Sequence, residues 1–329
     1  MADLTVSVVI PTYRRPEHLA ECLRHLAALD RTPHEVLVVD ASPDDRTRAV
    51  VAEHPGVRYL RNELGPSTTP ESRDLGLRHA TGDVVAYVDD DSHVAPDWLD
   101  RLLAAYADPG VVGVGGRIVN GTPGERERGV DRIGRLLPSG ELTGHFAADP
   151  GRPVEVDHLL GANMSFRRAA LLDVGGVHGR YPGPGLCEDS DISLRQRSRG
   201  RRLVFEPRAV VRHVSAPYRI RGRRFDLRYD FYGRRNQVVM LIRVLGPRHP
   251  MVRRYAASVV RGEWRRVKGV ARTVVGRPVD GSPPPGLRER LRAPFALRRV
   301  VGCLLGLLVG LPAGVRERRT DRLETGRAR

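Results

Sequence analysis

Cysteine is scarce in this 329-residue sequence, and what little there is forms no pattern. Cys22, Cys187 and Cys303 are far apart and lack the spacing of metal ligands, which argues against a disulfide framework and a zinc finger. A reduced, cytosolic protein is therefore expected. The N-terminus shows no basic start followed by an apolar stretch, so no signal peptide is expected either.

Three other features are missing. No G-x-G-x-x-G follows the first predicted strand, which counts against a dinucleotide-binding dehydrogenase. No G-x-x-x-x-G-K-[ST] is present, which counts against a P-loop kinase or ATPase. The most apolar run, residues 300–315, has 16 residues. This is below the ~20 that a membrane-spanning helix needs.

Charge is plentiful but unevenly distributed. The whole chain carries a net charge of +16, yet residues 1–217 contain 27 Lys and Arg against 31 Asp and Glu. Residues 218–329 contain 28 against 8, a net charge of +20. Basic clusters of this kind favour polyanions, either nucleic acid or an anionic membrane surface.

Predicted strands and helices alternate over the first hundred residues. The strands are expected at residues 5–10, 36–39, 57–60 and 84–88, and the helices at 16–29, 46–53, 72–80 and 96–107. This alternation predicts an α/β fold with a mostly parallel central sheet flanked by helices. Ligands of such sheets bind beyond the carboxyl ends of the strands. Further along the chain, residues 154–166 are expected to be extended, and residues 202–206 and 209–213 are expected to form two short strands.

Acidic residues follow two of these strands. Asp89, Asp90 and Asp91 come directly after an apolar run, and Asp40 ends the second strand. Three adjacent carboxylates repel one another unless a cation is bound, and Mg²⁺ or Mn²⁺ prefers oxygen ligands. Taken alone, the triplet is more typical of a solvated acidic turn that caps the next helix. The second acid at the same sheet edge favours a binding site.

Six motifs in order carry a resemblance to a known family. They are SVVIPTYRR, VVDASPD, RDLGLRHATGDVVAYVDDD, GANMSFRR, CEDSDISLRQRSRG and VFEPRAVVRH, and they extend from about residue 6 to residue 213. Together they resemble the family 2 glycosyltransferases, which have the GT-A fold. The resemblance implies a catalytic domain over residues 1–217. Beyond it the family motifs fade, and the mixture of arginines, aromatics and apolar stretches predicts a basic, amphipathic helical region over residues 218–329.

The resemblance also implies roles for individual residues. The nucleotide-sugar donor would be bound by Pro11, Thr12, Tyr13, Asp40, Asp89 and Asn163. A divalent metal, Mg²⁺ or Mn²⁺, would be held by Asp91, Asp89 and His213. Asp90 is expected to be a structural neighbour. Two positions depart from the family pattern, Ala41 and Asp74, where relatives often carry a second acid and an Asn.

The expected reaction follows from a second acidic pair. Asp189 resembles the family's catalytic base and Glu188 a residue that holds the acceptor, whereas Asp191 is explained by the first turn of a helix. The implied enzyme is an inverting hexosyl- or deoxyhexosyltransferase for cell-envelope polysaccharide, glycolipid or glycoconjugate synthesis. Its acceptor would be a sugar, a lipid-linked molecule or a small molecule.

Two alternatives remain open at this stage. One is a catalytically silent homologue that binds nucleotide and serves as a scaffold. The other is a nucleic-acid-binding protein acting through the basic tail, which is disfavoured because no recognised module is present, so no nucleic acid partner is expected. Residues 300–315 are compatible with a buried core helix, a subunit-contact helix or a short interfacial or re-entrant insert. Their basic flanks favour an anionic membrane surface, which predicts a cytoplasmic protein that is peripheral on the inner face of the membrane.

Overall fold

The computed structural model describes residues 4–214, 227–278 and 284–327, and these fall in two compact units. The first comprises Met1–Leu136 and Leu142–Arg221, and the second comprises Leu137–Glu141 and Gly222–Arg329. The domain boundary expected between residues 217 and 218 lies outside the described residues.

The first unit contains nine strands and six helices among its described residues. The strands are β1 (Val6–Thr12), β2 (Glu35–Asp40), β3 (Val57–Arg61), β4 (Val84–Val88), β5 (Ser92–Val94), β6 (Val111–Val119), β7 (Val154–Val156), β8 (Asn163–Arg167) and β9 (Arg202–His213). The helices are α1 (Pro16–Ala27), α2 (Arg46–Ala52), α3 (Thr69–His79), α4 (Trp98–Ala105), α5 (Arg168–Asp173) and α6 (Glu188–Arg197).

All nine strands form one sheet. Its order is β3-β2-β1-β4-β8-β6-β9-β5, with β7 paired to β9. The pairs β3-β2, β2-β1 and β1-β4 are parallel, whereas β8 runs antiparallel to both β4 and β6. The predicted α/β fold with a central sheet flanked by helices is confirmed, and its continuously parallel part ends at β4.

The two faces of the sheet are buried by different helices. In β1, Val9 contributes to one core, while Val8 and Ile10 contribute to the other, as the two-residue period of a strand requires. Helix α3 adds Leu77 to the first core, and helix α1 adds Leu19 to the second. Burial on both faces explains why the central strands are continuous apolar runs.

Two strand predictions differ from the structure. Residues 154–166 were expected to be extended throughout, but β7 and β8 are separate strands, with residues 157–162 between them. Conversely, two short strands expected at residues 202–206 and 209–213 are one strand, β9. Its register against β6 shifts between Glu206 and Val210. Pro207 explains the irregularity, since proline has no N–H to donate to the ladder.

The second unit is helical. Its helices are α7 (Leu227–Leu245), α8 (Pro250–Val274), α9 (Leu287–Arg292) and α10 (Leu297–Arg327), and a short 3₁₀ helix, Ala293–Ala296, precedes α10. Helix α7 is buried on all sides from Arg235 to Arg243 rather than along one stripe, unlike the amphipathic helix expected there. Its Gln237 donates to the carbonyl of Gly140, 2.8 Å away, which ties residues 137–141 to this unit.

Helices α7 and α10 pack closely along a row of glycines. Gly306, Gly310 and Gly314 of α10 lie four residues apart, and an added Cβ on each would overlap α7. Gly306 faces the carbonyl of Phe231, and Gly314 lies against Ile242, so the two helices run parallel. The glycines therefore allow the two backbones to approach each other.

The apolar run at residues 300–315 forms the middle of α10. By length and composition alone, the stretch Leu287–Asp321 could cross a membrane, and most of its apolar window is not buried within the protein. The side of this run that carries Gly306, Gly310 and Gly314 packs against α7 and is buried, whereas its other side is exposed.

The close packing predicts opposite effects of the same substitution at two glycines. Gly306→Ala should lower the thermal unfolding midpoint, because overpacking typically costs about 1–3 kcal/mol. Gly262→Ala should raise it, because Gly262 lies in α8 with open space around it and alanine is favoured in helices by about 1 kcal/mol. Differential scanning calorimetry of the intact chain measures both. A rise in both variants would contradict the close approach of α7 and α10.

Candidate functional site

The strand ends form one polar edge, as the sequence predicted. Strands β1, β2 and β4 are parallel, so Thr12, Asp40 and the triplet after β4 lie at the same edge of the sheet. Pro11 and Thr12 are buried. Tyr13 is partly exposed, and the Arg14 guanidinium lies 5.5 Å from the centre of its ring.

Asp40 is fully buried and held on both of its oxygens. Oδ1 accepts from the Ser42 N–H at 2.8 Å, and Oδ2 accepts from the Tyr59 hydroxyl at 3.0 Å. The Arg61 guanidinium is 3.6 Å from Oδ2. Tyr59 and Arg61 were missed by the sequence prediction, although both lie on β3, the next strand of the sheet. Asp40 thus has a fixed orientation at the edge where the donor is expected.

The three acids after β4 have different surroundings. Asp90 is buried, and it accepts from the Thr12 hydroxyl at 2.8 Å and from Arg15 at 2.9 Å. Burial raises the pKa of the Asp90 carboxyl to about 7, although Arg15 opposes the shift. The contacts of Asp90 are thus internal to the fold, which agrees with the structural role expected for it.

Asp89 and Asp91 lie beside His213. The pairing of β5 with β9 places His213 opposite Ser92, and its Nε2 is 3.1 Å from Oδ1 of Asp91. One ligand atom from each of Asp89, Asp91 and His213 lies within 4.8 Å of the others. The two carboxylates suit Mn²⁺ or Mg²⁺, and the imidazole offers a third ligand atom, so the residues fit the predicted divalent metal.

A buried arginine joins this group to the second acidic pair. Arg73 of α3 donates through Nη2 to Oδ1 of Asp89 at 2.8 Å, and its Nη1 pairs with Oε1 of Glu188. Both Arg73 and Glu188 are about 96% buried. The sequence placed Arg73 in a motif but predicted no contact for it. Its neighbour Asp74 instead accepts from the Val177 N–H at 3.0 Å.

Asp189 has a different environment from Glu188. Its Oδ2 accepts from the Gly161 N–H at 3.0 Å, and its Oδ1 accepts from the Ser190 N–H at 2.7 Å. Asp189 is partly exposed, whereas Glu188 is buried against Arg73. Of the predicted pair, Asp189 is therefore the acid with an oriented carboxylate that solvent can reach.

Asp191 is bound within the protein. It accepts from the Tyr181 hydroxyl at 2.7 Å and pairs with Arg195 at 2.8 Å. It is completely buried, which agrees with the structural explanation given from the sequence. Cys187, just before α6, has a left-handed backbone with φ of 74°, which is uncommon for a residue other than glycine.

Asn163 has its side-chain amide engaged by the protein. Its Oδ1 accepts from Trp98 Nε1 at 3.0 Å, and its Nδ2 donates to the carbonyls of Ala209 at 3.0 Å and Arg117 at 3.2 Å. These bonds fix the junction of β6, β8 and β9 beside the site. The predicted contact of Asn163 with the donor stays a prediction.

Comparison with known proteins identifies the class. The family model for glycosyl transferase family 2 matches residues 7–175, about half of the chain. The chain therefore belongs to this family and is a glycosyltransferase, as the resemblance implied.

Individual relatives and structures agree. The chain is 30% identical over 230 residues to a glucosyl-dolichyl phosphate glucuronosyltransferase of Haloferax volcanii, covering 66% of this chain and 71% of that protein. It is 30% identical over 223 residues to the succinoglycan biosynthesis protein ExoM of Rhizobium meliloti, covering 65% and 68%. The mannosyltransferase PcManGT from Pyrobaculum calidifontis, solved with GDP-Man and Mn²⁺, superposes with a TM-score of 0.59. That match covers 98% of this chain and 88% of the other at 20% identity, and it shows the GT-A fold.

Proposed function

We propose that this enzyme is a metal-dependent, inverting glycosyltransferase that moves a sugar from a nucleoside-diphosphate sugar to an acceptor hydroxyl. The observation that carries the proposal is the Arg73 bridge, since one guanidinium contacts both Asp89 and Glu188. It brings the cation-binding acids and the start of α6 into one site, which a reaction between a bound donor and an acceptor requires.

The donor side of the proposal rests on the strand ends. Asp40, with Pro11, Thr12 and Tyr13 nearby at the same edge, is assigned to the nucleoside. Asp91, Asp89 and His213 are assigned to Mg²⁺ or Mn²⁺. When bound, the cation neutralises charge that develops on the leaving diphosphate. The Mn²⁺ and GDP-Man of the mannosyltransferase structure support this assignment.

The acceptor side rests on Asp189. Its carboxylate takes the proton from the acceptor hydroxyl as that oxygen attacks the anomeric carbon. The bond from the anomeric carbon to the diphosphate oxygen breaks, and the electron pair leaves with the nucleoside diphosphate. Attack from the side opposite the leaving group inverts the anomeric configuration. The Gly161 and Ser190 N–H groups hold the carboxylate in place for this role.

The relatives support an acceptor class. One is named for a lipid-linked acceptor, glucosyl-dolichyl phosphate, and another for biosynthesis of the polysaccharide succinoglycan. We assign this enzyme to the same broad class. It would be a hexosyl- or deoxyhexosyltransferase that glycosylates lipid-linked or polysaccharide acceptors of the cell envelope. The retained acids and their ordered contacts favour turnover over a silent scaffold.

The outward face of α10 supports a membrane location. Val301, Leu305, Leu308 and Val309 are between 48% and 64% exposed, and they lie on the side away from the glycine row. Arg298 precedes this apolar face and Arg316 follows it, and both are exposed. Apolar side chains between basic ones suit an anionic lipid surface.

The packing of α10 favours lying on the membrane over crossing it. Its inner side packs on α7, whose Arg235 and Arg243 are buried in this unit. A crossing α10 would carry these arginines toward the hydrocarbon, where charged side chains are costly. We therefore place the enzyme in the cytoplasm, peripheral on the inner face of the membrane.

The metal assignment predicts the effect of Asp91→Asn. Loss of a charged ligand should weaken Mn²⁺ binding by more than the 10–100-fold that is typical for the loss of an outer-shell partner. The measurement is the Mn²⁺-dependent thermal shift of the intact chain with a nucleoside diphosphate. Asp74→Asn is the control, because Asp74 bonds Val177 instead, and it should keep the shift. An undiminished shift in Asp91→Asn would contradict the assignment.

The base assignment predicts a separate defect for Asp189→Asn and Asp189→Ala. Both should keep the Mn²⁺-dependent thermal shift and lose about 10²–10⁴-fold in kcat, the usual contribution of a general base. Asp189→Ala is included because the amide of Asp189→Asn would place its NH₂ group, a donor, against the Gly161 or Ser190 N–H, which is also a donor. Asp100→Asn, at a matched first-turn position on α4, should turn over normally. Normal turnover in both Asp189 variants would refute the role.

The membrane assignment predicts that the double variant Leu305→Glu/Leu308→Glu loses vesicle binding. Co-sedimentation with phosphatidylcholine vesicles containing phosphatidylglycerol measures this, and pure phosphatidylcholine should bind less. Leu172→Glu, on exposed Leu172 of the first unit, should sediment like wild type. Unchanged sedimentation of the double variant would contradict the assignment, and resistance of membrane-bound enzyme to carbonate extraction would contradict peripheral attachment.

A further inference from the structure

We infer that Arg73 is a positioning residue that couples cation binding at Asp89 to the geometry of the catalytic base, so that Glu188 tunes the affinity for the cation without contacting it. This inference rests on the proposed function, because it takes Asp89 and Asp91 as cation ligands and Asp189 as the base.

The guanidinium is shared between two carboxylates from distant parts of the chain. Nη2 bonds Asp89, 16 residues away in sequence, and Nη1 pairs with Glu188, the first residue of α6. The planar guanidinium of arginine can donate to two carboxylates at once, whereas the ammonium of lysine is less suited to this. Arg73 therefore links the loop after β4 to the start of α6.

The same guanidinium also lies beside the segment that orients the base. A Cβ on Gly161 would come within 2.5–2.9 Å of Nη1, Nη2 and Cζ of Arg73, so a side chain at this position would displace the guanidinium. The N–H of Gly161 is the group that donates to Oδ2 of Asp189. A shift of Arg73 would thus change the position of Gly161 and with it the carboxylate of Asp189.

Two polar atoms of the bridge lack a hydrogen-bond partner in the part of the chain that the structure describes, which favours a functional role over a purely stabilising one. Among the described residues, Oε2 of Glu188 and Nε of Arg73 are buried without a hydrogen-bond partner. Buried polar atoms without partners are costly, so they are rare unless they serve another purpose. A well-packed apolar pair would often be at least as stable as a buried ion pair.

Charge sharing makes the two sites interdependent. Arg73 and a bound cation compete for the negative charge of Asp89, and Glu188 draws Arg73 in the other direction. Removing the charge of Glu188 leaves Arg73 free to pair more fully with Asp89, so the cation should bind more weakly. Couplings of this kind typically change an affinity by about 5–150-fold.

The test measures the Kd of Mn²⁺ for the intact chain, without donor, by electron paramagnetic resonance of free Mn²⁺. Glu188→Gln should weaken binding by about 5-fold or more, the lower end of typical couplings. Asp191→Asn is the matched control, because Asp191 is in the same helical turn and is also paired to an arginine, Arg195. Asp191→Asn also removes one negative charge but does not affect a contact of Arg73, so it should change the Kd much less than Glu188→Gln.

A double-mutant cycle isolates the role of the bridge. Arg73→Lys keeps the positive charge but loses the planar guanidinium, so Glu188→Gln should have little further effect on the Kd in that background. Glu188→Gln should also lower kcat for a soluble acceptor, because Gly161 and Asp189 move with Arg73. If Arg73→Lys does not fold, the comparison of Glu188→Gln with Asp191→Asn carries the test.

Three results would overturn the inference. They are an unchanged Kd in Glu188→Gln, an equal effect of Asp191→Asn, and a full effect of Glu188→Gln in the Arg73→Lys background. Absence of Mn²⁺ binding to the wild type would instead overturn the proposed metal site on which the inference rests. The two kinds of failure are therefore distinguishable.

Discussion

Mutual repulsion among acids is the constraint on which this site depends. The carboxylates of Asp89, Asp90, Asp91, Glu188 and Asp189 converge at one end of the sheet, and each must be neutralised or hydrogen-bonded. Arg15 pairs with Asp90 and also lies 3.5 Å from Asp91, and Arg73 pairs with Asp89 and Glu188. The remaining contacts divide the acids after β4 into Asp90, which is bonded to Thr12 inside the fold, and Asp89 and Asp91, which lie close enough to His213 to receive a cation.

The division gives each carboxylate a distinct chemistry although the residue types are the same. Asp90 is buried beside Thr12, and its elevated pKa reflects that burial. Asp189 is partly exposed and oriented by two backbone N–H groups, which suits a group that must meet an acceptor hydroxyl. Environment rather than residue identity thus separates the structural acid from the proposed base.

Local sequence patterns were sufficient for much of the fold and for the acids of the site. The alternating apolar segments predicted the sheet, and the family resemblance implied that Asp91, Asp89 and His213 would lie together, as they do. The Arg73 bridge was not predictable in this way, because it joins α3 to residues 16 and 115 positions further along the chain. Local periodicity carries no information about such a contact. The hydrogen bond from the Tyr59 hydroxyl to Asp40 was also not predictable from local periodicity. Nor was the burial of α7 on all sides, because it depends on the glycine row of another helix, α10.

The central claim is that the acids at the end of β4 hold the cation that carries the donor diphosphate. Anomalous diffraction at the manganese edge, from crystals soaked with Mn²⁺ and a nucleoside diphosphate, tests it most directly. We expect a peak within coordination distance of Asp91 and His213, with diphosphate oxygens completing the shell. A nucleotide bound at this edge with no peak there, or with the peak at another site, would contradict it.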